Sequence, residues 1–121
     1  MKWKQALTNF RAARMITEPS GMFPLMIKEE IDEYVYSLQM NDEHEKIDAI
    51  CDIIVLAANE LALNGYDLDL CLKETAKEIN SRIQDPIQAC TNWKGQKWQK
   101  DPNQDKSTLY KADYSRCKLG H

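Results

Sequence analysis

The stretch KEEIDEYVYSLQMNDEHEKIDAICDIIV, Lys28–Val55, decides how this chain folds and what it can hold. Between Glu29 and Asp52 it carries nine carboxylates, with Lys46 as the only base among them. Apolar residues recur through the same stretch at helical spacing, so acids and core-forming side chains share the same elements. A charge run of this kind is usually a solvated helix face. Two details argue otherwise here: the acids repeat on one face of two consecutive helices, and Asp52 is embedded in the apolar run ICDIIV.

Glu30 and Glu33 are three apart and project from one face of the second helix, with Glu29 at its edge. Glu45, Asp48 and Asp52 fall at i, i+3 and i+7 and share a face of the third helix. A short loop around Met40 and Asn41 makes the two helices antiparallel neighbours, which brings the two acidic faces together. Left bare, such a cluster repels itself and drives some members to take up protons. A hard divalent cation resolves the conflict, because Mg²⁺, or Mn²⁺ in its place, accepts several carboxylate oxygens. Zinc is disfavoured, since no histidine belongs to the cluster. His44 faces the loop and His121 is the last residue.

Outward from this stretch the chain reads as all-α, a bundle of four to five helices with an irregular C-terminal tail. A first helix is expected from about Trp3 to Ile16, on the spacing of Trp3, Ala6, Leu7, Phe10 and Ala13. EPSGMFP breaks it, and Pro24 suits the first turn of the second helix, which runs to about Gln39. Asn41 or Asp42 caps the third, and Asn64-Gly65 ends it. Asp67 opens a fourth that runs to about Ile83. The third helix is apolar on most faces, as expected of a central helix or one buried by a partner chain. The expected organisation is a helical core over residues 1–83 with an extension over 84–121.

Residues 1–83 carry 15 acids against 9 bases, and residues 84–121 carry 4 acids against 7 bases. The acidic part suits cations, and the basic, aromatic-bearing tail suits an anionic group or a merely solvated role. Neither a secretory leader nor an apolar run long enough for a bilayer is read, so a cytoplasmic setting without membrane contact is expected. The four cysteines form no C-x-x-C pair, which argues against zinc and structural disulfides. Cys51 and Cys71 are expected on apolar helical faces as small hydrophobes. Gly-rich phosphate loops are absent.

At these carboxylates the sequence resembles the all-α nucleoside triphosphate pyrophosphohydrolase superfamily, which includes MazG proteins and phosphoribosyl-ATP pyrophosphohydrolase. The resembling residues are Glu29-Glu30-Ile31-Asp32-Glu33 and Asp48-Ala49-Ile50-Cys51-Asp52-Ile53-Ile54-Val55, and the likeness covers about residues 23–83. The run DAICDIIVLAANELALNGYD is most similar to short MazG-like proteins of phages and mobile cassettes. The resemblance implies metal ligands at Glu30, Glu33 and Asp52. A strict E-x-x-D ending at Asp52 would need an acid at position 49, where this chain has Ala49, so Asp48 stands in and Glu45 is held back. It implies hydrolysis of a (d)NTP to (d)NMP and pyrophosphate with Mg²⁺, and a homodimer or homotetramer. Glu29 is the candidate to accept a proton from water, and Glu33 serves both roles.

KEINSRI resembles a substrate-contacting segment of the phage-type members, which makes Asn80 and Arg82 candidates. In the tail, Lys94, Lys97 and Lys100 could meet phosphates, and Trp93, Trp98 and Tyr110 could stack on a base. Lysines interleaved with aromatics also suit single-stranded nucleic acid, a weaker use in a net-acidic protein. Phosphoribosyl-ATP is the less expected substrate. The competing reading is a non-catalytic helical oligomer that binds a protein or a nucleotide. Convergence of the carboxylates discriminates the two, since in a simple interaction module they would splay outward.

Overall fold

The computed structural model describes residues 2–82 and 104–120. The tail candidates Trp93, Lys94, Lys97, Trp98 and Lys100 fall outside the described residues. The described chain is all-α, with helices α1 (Lys2–Ala13), α2 (Phe23–Gln39), α3 (Glu43–Leu63) and α4 (Leu68–Asn80) and a 3₁₀ turn at Lys106–Thr108. Among the described residues there is no strand, and no helix is long and apolar enough to cross a membrane.

The ends of these helices follow from local chemistry. Pro24 sits in the first turn of α2, where a missing N–H costs nothing. Asp42 caps α3 by accepting from the Glu45 amide at 3.1 Å, and Glu43 and Glu45 lie at the positive end of its dipole. The α2–α3 turn closes through Asn41 at φ 53° and a hydrogen bond donated by the Asp42 backbone N–H to the Ser37 carbonyl at 2.9 Å. Asn64 caps the other end of α3, and Gly65 follows at φ 89°. The first helix stops at Ala13, three residues short of the expected Ile16. Met15 turns left-handed at φ 54°, and the Ile16 amide returns to the Arg11 carbonyl at 2.9 Å.

The chain divides after Leu68 into two compact units, so α4 goes with the C-terminal residues. In the first unit α2 and α3 pack against each other. Ser37, Ala49 and Ala58 are buried in this unit, small residues that let helix backbones approach closely. Most larger apolar side chains of the pair stay exposed. Ile31, Val35 and Leu38 line one stripe of α2, and Ile47, Ile50 and Ile54 line one of α3. Cys51 lies beside that apolar stripe of α3 and is exposed with it.

In the second unit the C-terminal segment is strapped to α4 by two carboxylates. Glu74 accepts from the Tyr110 hydroxyl and from the Asp113 amide, and Glu78 accepts from the Ala112 amide at 3.0 Å. Ser81 Oγ accepts from the Tyr110 amide at 2.8 Å, and the Thr75 and Tyr114 hydroxyls meet at 2.8 Å. Cys71 and Cys117 are buried in this unit.

Candidate metal centre

The α2–α3 pairing brings Glu30, Glu33 and Asp52 together. Each offers a carboxylate oxygen within 4.8 Å of the others. Glu30 and Glu33 reach the site from one face of α2, and Asp52 reaches it from α3. Glu30 and Asp52 are half-buried, whereas Glu33 is exposed and opens the cluster to solvent. Among the described residues no lysine or arginine forms an ion pair with any of the three.

Burial is the main reason the Glu30 carboxyl is raised to about 7, and its neighbours Glu33 and Asp52 push the same way. Its Oε2 is buried and has no hydrogen-bond partner. An orphaned buried carboxylate oxygen facing two further carboxylates is costly unless a cation or proton sits against it. The donor set is all oxygen and partly open, which fits a hard divalent cation that keeps some of its water. These residues therefore fit the group that the resemblance implies.

The remaining expected residues fall outside this convergence. Asp48 is exposed one turn before Asp52, because the neighbouring Ala49 occupies the inward position and is only 1% exposed. Glu29 is exposed at the edge of α2, and Glu45 is exposed in the first turn of α3, where a 3.4 Å contact to His44 Nδ1 occupies it. Asn80 is exposed at the end of α4 in the second unit. Arg82 follows it, with a guanidinium nitrogen 3.9 Å from Glu78 and its Nε buried without a partner. Tyr110 is not free to stack on a base from both faces. Its hydroxyl donates to Glu74, and the Lys77 ammonium lies 4.2 Å from its ring centre.

With this geometry in view, the match to known families becomes specific. Residues 13–79, more than half of the chain, match the family model of phosphoribosyl-ATP pyrophosphohydrolase. The chain belongs to that family. No curated protein and no solved structure matches it. The matched segment contains all three converging carboxylates, and membership supports a pyrophosphohydrolase activity in general.

Sequence reasoning did not find Glu74 and Glu78 as the anchors of the C-terminal strap. Both read as ordinary solvated acids on α4, and their partners are mainly backbone amides, which carry no signal in the sequence.

Proposed function

We propose that the protein is a divalent-metal-dependent nucleoside triphosphate pyrophosphohydrolase that converts a (d)NTP to the (d)NMP and pyrophosphate. The observation that carries this reading is the convergence of Glu30, Glu33 and Asp52 around the orphaned Glu30 oxygen. A non-catalytic module with solvated acids would have no reason to bury one of them unpaired. Glu30, Glu33 and Asp52 are the metal-holding residues, with Asp48 one turn away as a further oxygen donor. Bound there, Mg²⁺ or Mn²⁺ supplies charge neutralisation for the triphosphate and polarises a water.

Glu33, the exposed member of the cluster, and Glu29, exposed at the edge of α2, are the candidate proton acceptors. Either can accept the proton lost by the attacking water. The new bond joins that water's oxygen to the α-phosphorus. The bond from the α-phosphorus to the bridging oxygen breaks, and pyrophosphate leaves. Asn80 and Arg82 keep the substrate-contact role proposed from the sequence. Trp93 and Lys94 keep the same proposed role from the sequence.

The working form is proposed to be a homodimer or homotetramer. The exposed stripes Ile31–Val35–Leu38 and Ile47–Ile50–Ile54 support that reading, since such apolar faces are normally covered. Phosphorus NMR of the products tests the reaction. Monophosphate and pyrophosphate are expected; a diphosphate with orthophosphate would overturn the assignment.

A further inference from the structure

The first unit contains a second feature that the metal centre does not use. A cavity of about 350 Å³ lies among α1, the α1–α2 connection, the start of α2 and the second half of α3. That volume is at the small end of pockets that take a small molecule. Its wall is mostly apolar, with Phe10 and Phe23 as aromatic members and Met26 and Leu56 beside them. Met26 lies four residues before Glu30 on α2, and Leu56 four residues after Asp52 on α3. The cavity therefore continues the metal-site faces of both helices by one turn. Its far wall includes Asn59, seven residues beyond Asp52, or about 10 Å along the helix. A nucleotide spans a comparable distance between its phosphates and the edge of its base.

Asn59 is held in one orientation. Arg11 donates to Asn59 Oδ1 at 2.6 Å, and Arg11 is itself steadied by a bond to Thr8 Oγ1 at 3.3 Å. Arginine has only donors, so the amide oxygen must face it, and the Nδ2 amine is turned the other way. Among the described hydrogen bonds Asn59 Nδ2 has no acceptor. An apolar cavity with one fixed, unspent donor is selective, because a ligand that places another donor there leaves both unpaired. The cavity wall also includes Glu18 and Glu60, which offer acceptors. Their negative charge favours the more acidic donor, which is the ring N–H of a lactam rather than an exocyclic amine.

Resting on the pyrophosphohydrolase reading, we propose that this cavity receives the base of the substrate and that Asn59 determines its specificity. Asn59 Nδ2 donates to a ring carbonyl, and Arg11 is the positioning residue that fixes the amide. The preferred substrates are those whose base carries a ring N–H beside a carbonyl: uracil, thymine and guanine nucleotides. Adenine and cytosine nucleotides, and phosphoribosyl-ATP, are the poorer class.

The test compares kcat and KM for dUTP, dTTP, dGTP, dATP and dCTP in the wild type, Asn59→Asp and Arg11→Leu. Equilibrium binding of the non-hydrolysable α,β-imido analogues of dUTP and dATP is measured alongside. The wild type should favour the lactam bases by about tenfold or more. Asn59→Asp replaces the donor with an acceptor and should reverse the ranking, mainly through KM. Arg11→Leu frees the amide to rotate and should flatten the ranking among bases in both KM and analogue binding, without reversing it. A ranking unaffected by Asn59→Asp, in turnover and in analogue binding, would overturn the proposal. Analogue binding that ranks and reverses as stated, without turnover of any nucleotide, would sustain the base site while refuting the enzymatic reading.

Discussion

Glu30 and Asp52 stand within 4.8 Å of each other across the seam between α2 and α3, both half-buried and neither neutralised by a described cation. In the metal-free protein this pair is a source of strain, and with a cation bound it becomes a source of stability. Glu30→Gln removes one charge while keeping the shape. It should raise Tm in EDTA by a few degrees, from relief of about 1–2 kcal/mol. In the wild type, Mg²⁺ at a hundred times its Kd should add about 2.7 kcal/mol, roughly 10 °C in Tm. Glu33→Gln and Asp52→Asn should lose most of that shift. Thermal melts with and without Mg²⁺ check both parts.

Ala49 occupies the position where the strict family motif would carry an acid. At 1% exposure it has no room for one. Ala49→Asp should therefore destabilise the protein by about 3 kcal/mol or more, through a buried charge and crowding, rather than improve the site. Denaturant unfolding of the variant measures this. A variant of wild-type stability with tighter Mg²⁺ binding would show that the position can serve as a ligand.

The C-terminal strap should respond to pH from both sides. The Tyr110 hydroxyl bond, and then the Asp113 amide, hold the Glu74 carboxyl below its usual range. The same Glu74 bond, with burial, pushes the Tyr110 hydroxyl up to about 12. A lowered acid stabilises the fold above its unfolded pKa, and that stabilisation is lost as pH falls through the folded value. The strap should thus loosen below about pH 4. A raised phenol stabilises below its unfolded pKa, and that contribution disappears as pH rises from about 10 towards 12. Hydrogen exchange at the Ala112 and Asp113 amides should accelerate at both extremes. Glu74→Gln should remove most of the acid limb, and Tyr110→Phe the alkaline one.

Ile54 is 54% exposed at the end of the α3 stripe. If copies of the chain cover that stripe, Ile54→Glu should shift the species seen by light scattering to the monomer and lower Tm. An unchanged mass would place the seam elsewhere.

Much of this was legible in the residues. Pro24, Asp42 and Asn64-Gly65 each mark a helix end through a local mechanism, and each lies where α2 or α3 begins or ends. The carboxylate cluster was readable because i, i+3 spacing on α2 and a short loop leave little freedom in how Glu30, Glu33 and Asp52 meet. Asp48 was harder to place. Spacing gives it the same helix face as Asp52, yet it is exposed and stands one turn away from the three carboxylates that converge. The early stop of α1 depends on a left-handed methionine, Met15, where glycine or asparagine is the usual signal. The strap on α4 and the Arg11–Asn59 bond join residues far apart in sequence, and no periodicity records such contacts.

The most direct test of the central claim is pyrophosphate release from the common NTPs and dNTPs and from phosphoribosyl-ATP, in Mg²⁺ and in EDTA, with Glu33→Gln as control. Release should occur only with the metal and should fall by on the order of 10²-fold or more in the variant. Release that persists in EDTA or in Glu33→Gln would contradict the carboxylate site, and no release from any of these substrates would contradict the enzyme.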